Sequence, residues 1–371
     1  MRVSNHILSS RSAIWIKCTS LVAALMIAGV GLVEACTRVL YVGVGGLVIT
    51  GRSMDWGEDM YSNLWVFPRG MSRDGASGPN TVKWTSKYGS LSISGYEAGI
   101  ADGMNERGLV MNGLYLAESD YGKPDGRPTM TIMAVGQYAL DSFGSVAEAV
   151  EELRRDSFRL IAPILPNGRG ATMHMSLSDS TGDSAIFEWI DGKVVIHHGK
   201  EYKVMTNSPT YDEQLAIEKY WKGVDPLTFL PGSINAADRF ARVSFLINAI
   251  PTKLDPNTIK AVPGATYENQ AALSVLSVVR SIGVPLGVTH PTKPNISSTL
   301  WRSVHDQKNK VVFFDSATSP NAFWVPLSEL KFSEGAPVMK LTVAGGRVYA
   351  GNAASKFEPA KPFPFMPVKD Q

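Results

Sequence analysis

Cys36 follows an apolar run near the start of the chain, where cleavage would make it the first residue. A cysteine in that position can act as an N-terminal nucleophile. Its own α-amino group, with a reference pKa of about 7.7–8.0, can accept the thiol proton, so no catalytic histidine is required. Arg52 and Asp55 follow at a spacing that a hairpin would bring back beside the thiol, where the arginine favours the thiolate and the carboxylate orients the ammonium group. The alternative for these two residues is a surface ion pair at a strand end.

The first 35 residues have the features of a signal peptide that is removed. Residues 1–20 carry three basic residues and no acidic one, residues 21–33 are apolar, and Val33 and Ala35 supply small residues before the cut. Spanning a bilayer takes about 20 apolar residues, more than this run provides. We therefore predict a leader over residues 1–35 and a single mature domain over residues 36–371. The mature chain would have no membrane span and would be periplasmic or secreted.

Two other interpretations of Cys36 stay open at this point. In the first, the sulfur is lipidated and the amine acylated, which removes the base and makes the chain a lipid-anchored binding protein. Glu34 fits that interpretation poorly, because such acceptor sites prefer a small residue there. In the second, Cys36 is an unpaired thiol without a role.

The composition excludes several classes of protein. Of 371 residues, 36 are Lys or Arg, 34 are Asp or Glu, two are Cys, and 44% are hydrophobic. This apolar content excludes a disordered chain, and a charge near zero argues against nucleic-acid binding. The leader holds three of the basic residues, one acidic residue and Cys18. The mature chain is thus predicted to be neutral, with one cysteine, no metal and no cofactor, since phosphate-loop and zinc-site motifs are absent from the sequence.

Alternation of β-forming and helical segments predicts a layered α+β domain, with two sheets covered by helix pairs. Residues 37–44 and 47–55 form the hairpin at Cys36, with Gly45 and Gly46 in its turn. The other predicted strands cover residues 64–67, 82–84, 91–95, 109–116, 173–178, 185–190, 194–197, 203–206, 301–305 and 311–314. The predicted helices cover residues 129–140, 146–154, 211–221, 236–249 and 270–282. The Pro-rich tail, residues 357–371, is expected to be irregular.

Five motifs occur in order along the mature chain. They are Cys36-Thr37-Arg38, residues 51–56, residues 102–109, Thr206-Asn207-Ser208-Pro209, and residues 230–232 followed by Asp238-Arg239-Phe240. Together they resemble the choloylglycine hydrolase family of bile salt hydrolases and penicillin V acylases, in its Gram-negative branch. The resemblance continues through residues 301–304 to 349–351 and covers nearly the whole mature chain. It implies the four-layer αββα fold of N-terminal nucleophile hydrolases, cleavage of linear N-acyl amides and a homotetramer.

The resemblance also implies roles for individual residues. Cys36 matches the nucleophile, with Arg52 and Asp55 flanking it. Asn207 matches the amide that stabilises the oxyanion, together with a main-chain N–H between residues 113 and 115. Arg239 matches the second active-site arginine. Such a neutral donor, fixed in place beforehand, can stabilise the developing oxyanion of amide hydrolysis by several kcal/mol.

Two aromatic residues bear on the choice of substrate. Tyr115 stands where many Gram-positive bile salt hydrolases have asparagine and where penicillin V acylases have tyrosine. Trp56 directly follows Asp55 and is a candidate for lining the acyl pocket, although both rings also fit ordinary core packing. Conjugated bile salts are the first expectation from the general likeness. Penicillin V and N-acyl homoserine lactones are the alternatives, because small aromatic or aliphatic acyl groups suit a pocket lined by these rings.

Overall fold

The structure, a computed structural model, describes residues 35–289 and 297–368, so the predicted leader lies outside it except for Ala35. In chain order the strands of these ranges are β1 (Thr37–Val42), β2 (Val48–Trp56), β3 (Leu64–Phe67), β4 (Ser72–Asp74), β5 (Lys83–Thr85), β6 (Ser90–Gly95), β7 (Gly99–Asn105), β8 (Val110–Leu114), β9 (Thr129–Thr131), β10 (Arg159–Ile161), β11 (His174–Ser178), β12 (Ser184–Ile190), β13 (Lys193–His198), β14 (Val204–Met205), β15 (Ser298–Asp306), β16 (Val311–Ser316), β17 (Ala322–Pro326), β18 (Met339–Leu341), β19 (Gly351–Asn352) and β20 (Glu358–Pro359). The α-helices are α1 (Ile132–Ser142), α2 (Val146–Arg154), α3 (Tyr211–Trp221), α4 (Ala236–Ala249) and α5 (Tyr267–Ser281).

Two large sheets pack face to face, with helices on their outer surfaces. The first sheet has the strand order β14-β1-β2-β15-β16-β17-β19, and the second has the order β13-β12-β11-β8-β7-β6-β3-β18-β20. Helices α4 and α5 cover the first sheet, α3 packs on α4, and α1 and α2 cover the second sheet. Across the interface the hydroxyl of Thr50 lies 2.8 Å from that of Ser178. This arrangement confirms the predicted α+β fold with αββα layers.

The predicted hairpin at Cys36 is present and forms the second and third strands of the first sheet. Strands β1 and β2 pair antiparallel, with Thr37 opposite Ser53 and Arg38 opposite Arg52. Gly45 in the turn has a φ of 67°, a left-handed conformation that favours glycine. Every residue of β2 is buried, because α5 covers one face and the second sheet covers the other. The first strand ends at Val42, two residues earlier than predicted.

Three of the differences from the predictions have a local reason. Strand β7, Gly99–Asn105, was not predicted because its Gly, Asp and Asn residues have low strand propensity, yet it pairs with β6 and β8. Residues 129–131 form β9 rather than the first turn of a helix. Helix α1 therefore begins at Ile132, where the Thr131 side chain caps it. Helix α5 begins at Tyr267, three residues early, with Thr266 as its cap.

A buried ion pair fastens α1 to the β4–β5 ribbon. Arg73 Nε lies 2.9 Å from Asp141 Oδ2, and their side chains are 6% and 0% exposed. Trp84 Nε1 and Gln137 Nε2 also donate to this carboxylate, at 2.8 and 2.7 Å. Burial raises the pKa of Asp141 above its ordinary value, and the charge of Arg73 and these hydrogen bonds offset only part of that effect.

Replacing Asp141 by asparagine is expected to lower the free energy of unfolding by about 3–5 kcal/mol, because Arg73 is left as a buried cation without its countercharge. Urea denaturation measures the loss. Glu151→Gln is the matched control, since it removes the exposed i,i+4 pair between Glu151 on α2 and Arg155 just after it, and is expected to cost less than about 0.5 kcal/mol. Equal losses of unfolding free energy in the two variants would contradict the stabilising role of the Arg73–Asp141 pair.

Candidate active site

The thiol of Cys36 lies at the start of β1, against the end of β2. The residue is 2% exposed. The main-chain N–H of Asp55 points at Sγ from 3.4 Å, and Arg52 Nη2 lies 3.8 Å from the same sulfur. The thiol is also within reach of the Asp55 carbonyl, at 3.5 Å. A guanidinium and a main-chain donor aimed at one sulfur favour its thiolate form.

Arg52 is held in place by main-chain carbonyls. Its Nε donates to Ser53 O at 3.2 Å, Nη1 to Ala101 O at 2.8 Å and Nη2 to Gly113 O at 2.9 Å. Ala101 and Gly113 belong to β7 and β8, so main-chain carbonyls of the second sheet hold a side chain that belongs to the first sheet. Arg52 is fully buried, and its guanidinium lies 4.8 Å from the ring centre of Trp301.

Asp55 is a buried carboxylate at the end of β2. Ser53 Oγ donates to its Oδ2 at 3.0 Å, and the Thr299 hydroxyl donates to Oδ1 across to β15. Burial raises the pKa of Asp55 above its ordinary value, and the charge of Arg239 and the two hydroxyl bonds offset only part of the rise. Sequence reasoning brought Asp55 to Cys36 through the hairpin, but no local pattern indicated Thr299.

Arg239 contacts the main chain of Cys36 and connects it to Asn207. Asn207 Nδ2 donates to Tyr115 O at 2.8 Å, while its Oδ1 accepts from Arg239 Nη2 at 2.9 Å. Arg239 Nη1 in turn donates to Cys36 O and to Thr37 Oγ1, both at 2.5 Å. Burial lowers the pKa of Arg239 to about 10, with Asp55 and Cys36 opposing that shift, so the side chain stays charged at neutral pH.

A second buried pair supports the segment that carries Asn207. His174 Nε2 contacts Thr206 O at 2.7 Å, and its Nδ1 lies 2.9 Å from Glu188 Oε1. Glu188 also accepts from the Tyr211 N–H at the start of α3, with both oxygens at 3.1 Å. Residues on both sides of Asn207 are therefore anchored. Sequence reasoning missed His174 and Glu188. They lie on neighbouring strands and contact residues later in the chain, and such contacts produce no local sequence pattern.

A small apolar cavity opens beside the thiol. Its volume is about 90 Å³. The lining residues include Cys36, Met54, Trp56, Met60, Ile100, Tyr115, Met133, Leu165, Ala171 and Met173. The rings of Trp56 and Tyr115 meet edge to face at 6.2 Å, and Trp56 Nε1 donates to the Tyr96 hydroxyl at 2.7 Å. The structure thus brings both predicted pocket aromatics to the cavity wall.

A cation that was not predicted packs against these two rings. The guanidinium carbon of Arg169 lies 5.5 Å from the ring centre of Trp56 and 5.2 Å from that of Tyr115, within the distance for cation–π attraction. Arg169 is half-buried on the loop that also supplies Leu165 and Ala171 to the cavity. An irregular loop of this kind has no periodicity from which the contact could be predicted.

The described residues contain no cluster of three or more His, Cys, Asp or Glu side chains that could hold a metal ion. Within the same ranges, none of the helices has the length and apolar character needed to cross a membrane.

Comparison with known proteins identifies the family. Residues 36–339 match the sequence profile of the linear amide C–N hydrolases of the choloylglycine hydrolase family. The chain belongs to the choloylglycine hydrolase family. It is therefore a hydrolase of linear amides, as the motifs indicated. The match begins at Cys36, the residue at which the predicted mature chain starts.

Relatives within the choloylglycine hydrolase family carry two different names. A penicillin V acylase of Pectobacterium atrosepticum is 44% identical over 362 residues, which cover 93% of this chain and 95% of that protein. A bile salt hydrolase/transferase of Clostridium perfringens is 30% identical over 266 residues, covering 64% of this chain and 79% of that protein.

Solved structures place the fold in the same family. A penicillin V acylase from Agrobacterium tumefaciens superposes with a TM-score of 0.80 at 48% identity and covers 90% of this chain and 100% of that chain. A conjugated bile acid hydrolase from Clostridium perfringens superposes with a TM-score of 0.69 at 21% identity, covering 85% of this chain and 99% of that one. At that lower identity the likeness concerns the fold alone.

Proposed function

We propose that the mature protein is an N-terminal cysteine amidase that removes small aromatic acyl groups, with penicillin V as its favoured type of substrate. The observation that carries this proposal is the cavity beside Cys36. Pockets for drug-sized ligands usually measure about 300–1,000 Å³, whereas this one measures about 90 Å³. A single phenoxy ring packed against Trp56 and Tyr115 suits that space better than the four fused rings of a bile acid. The 44% and 48% identical relatives, both penicillin V acylases, support the same choice.

The proposed reaction begins with cleavage after Ala35, which frees the α-amine of Cys36. That amine takes the thiol proton, and Sγ attacks the acyl carbon, forming a C–S bond. Asn207 Nδ2 and a main-chain N–H between residues 113 and 115 hold the oxyanion. The C–N bond then breaks as the α-ammonium group gives its proton to the leaving amine, and water hydrolyses the thioester.

The neighbouring charges suit these proton transfers. Arg52 faces the sulfur and favours the thiolate, and Asp55, whose main chain contacts the same sulfur, is the proposed acceptor for the new ammonium group once the leader is gone. Arg239 fixes the Cys36 carbonyl and the Asn207 amide relative to each other. Residues 1–35, the predicted leader, support a periplasmic or secreted location for the mature enzyme.

A panel of three substrates tests the preference, using the mature chain with penicillin V, taurocholate and a long-chain N-acyl homoserine lactone. We expect kcat/KM for penicillin V to exceed the other two by at least about tenfold, since a pocket of fixed size discriminates through how well it is filled. Tyr115→Ala is expected to reduce turnover of penicillin V and to lower the ratio of its kcat/KM to those of the other two substrates. Tyr220→Ala, which alters an exposed ring on α3, is the control.

Two outcomes of the panel would contradict the proposal. Faster hydrolysis of taurocholate would restore conjugated bile salts as the preferred class. Turnover of the lactone alone would indicate an acylase for unbranched acyl chains.

A further inference from the structure

Asp102 is a buried carboxylate at the interface between the two sheets. It lies on β7 of the second sheet and is fully buried. Two side chains of β15 in the first sheet contact it: Ser303 Oγ donates to Oδ2 at 2.6 Å, and His305 Nε2 lies 2.6 Å from Oδ1. Asn112 Nδ2 on β8 donates to Oδ2 at 3.2 Å. Asp102 thus accepts hydrogen bonds from side chains of two strands, β8 and β15.

The same carboxylate faces the arginine that contacts the nucleophile. Asp102 Oδ2 lies 3.9 Å from Arg52 Nη1. The carbonyls that hold Arg52 belong to Ala101 and Gly113, the chain neighbours of Asp102 and Asn112. The hydrogen bonds that Ser303, His305 and Asn112 donate, together with the charge of Arg52, favour the ionised carboxylate of Asp102 over its protonated form. Asp102 is therefore an anion beside Arg52.

Whether His305 is charged determines which cation the Asp102 carboxylate balances. His305 is fully buried, and among the described residues its Nδ1 has no hydrogen-bond partner. An imidazolium would leave that N–H unsatisfied in the interior and would place a second cation near Arg52. The neutral ring with its proton on Nε2 avoids both costs and still donates to Asp102. The carboxylate then remains the countercharge of Arg52.

We propose that Asp102 is a positioning residue that acts through Arg52, fixing the guanidinium beside Cys36 and offsetting part of its charge. The proposal rests on the proposed role of Cys36 as nucleophile. Arg52 and Asp55 on β2 and Arg239 on α4 face the cysteine directly, whereas Asp102 acts on it from behind Arg52. Without a countercharge, Arg52 would stabilise the Cys36 thiolate more strongly and so make that thiolate a weaker nucleophile. Asp102 offsets part of this stabilisation.

Asp102→Asn keeps the shape of the side chain, and its amide oxygen can still accept from Ser303 and Asn112. The change removes the charge together with the oxygen that accepts from His305 Nε2. The unbalanced Arg52 should then stabilise the thiolate, so the pH midpoint for alkylation of Cys36 by iodoacetamide is expected to fall by about one unit. The limiting alkylation rate at high pH is expected to fall about threefold, because thiolate nucleophilicity declines with basicity. A merely structural role would lower the melting temperature without moving the midpoint.

Two further variants complete the experiment. His305→Gln keeps a donor to the same carboxylate and is expected to leave the midpoint in place. If Asp102→Asn does not fold, the double variant Asp102→Asn/His305→Gln pairs two neutral amides in the same position and should show the same fall. Intact mass and loss of amidase activity confirm that Cys36 is the alkylated residue.

The outcomes separate this proposal from the proposed function. Alkylation of Cys36 that left amidase activity intact would refute the nucleophile itself. Inactivation by alkylation with an unchanged midpoint in the Asp102 variants would overturn only the role of Asp102. If the pH midpoint moved as far in His305→Gln as in Asp102→Asn, the charge that matters would be that of the His305 imidazole. That result would also overturn the proposed role of Asp102.

Discussion

Replacing Cys36 by alanine is expected to reduce kcat for amide hydrolysis by on the order of 10⁶-fold, as for other enzymes that lose their nucleophile. The reason lies in the contacts of the sulfur. Arg52 and the Asp55 N–H both point at Sγ, and no other side chain in the described cavity lining offers a thiol or hydroxyl at that position. The fold should persist, because alanine fills most of a site at which the cysteine makes no disulfide.

The measurement uses mature chains that begin at residue 36, released from a cleavable fusion so that every variant has a free amine. Cys36→Ser is the matched control, since it keeps a smaller, less acidic nucleophile in the same shape and should retain more activity than alanine. Thermal unfolding checks that all three chains fold. Full activity in Cys36→Ala would refute the mechanism, and a diacylglyceryl mass on the native N-terminus would favour the lipid-anchored alternative.

Replacing Asn207 by alanine is expected to lower kcat by about 10²–10³-fold, the usual effect of losing one oxyanion donor. KM should change much less, because the negative oxygen forms only in the transition state. In the structure one N–H of Nδ2 donates to Tyr115 O and the oxygen accepts from Arg239. These two bonds fix the amide plane and so direct the remaining N–H.

The control for Asn207 removes support without removing the donor. Gln214 Nε2 donates to Asn207 O at 3.0 Å and to Ser208 O at 3.1 Å, so Gln214→Ala loosens the same segment but leaves the amide present. Steady-state kinetics with penicillin V compares the two variants. If Gln214→Ala lost as much kcat as Asn207→Ala, the asparagine would be a structural residue rather than an oxyanion donor.

The parts of the site that could be predicted from the residues themselves are those close in sequence. A hairpin of two β-rich segments with a glycine turn determines that Arg52 and Asp55 return to Cys36, whatever the rest of the chain does. Asn207 and Arg239 came only from the resemblance. They lie about 170 and 200 positions away, and their approach depends on how β14 and α4 pack against β1.

The supporting residues could not be predicted for a related reason. Asp102 and His305 come from strands in different sheets, and each alone looks like an ordinary polar residue in a strand. Strand β7 itself was not predicted, because its glycines and its acidic residue disfavour strands, although it overlaps the motif at residues 102–109. Burial between layers, rather than local propensity, gives these side chains their partners.

The pairing of β2 with β15 has a consequence for when the enzyme becomes active. These neighbours in the sheet are about 250 positions apart, and β15 supplies the hydroxyl on Asp55 and the two donors to Asp102. Such long-range pairing closes late, because a large loop must be ordered first. Until β15 has paired with β2, Cys36 therefore lacks part of the surroundings described above. The amidase exists only after nearly all of the polypeptide has been made and folded.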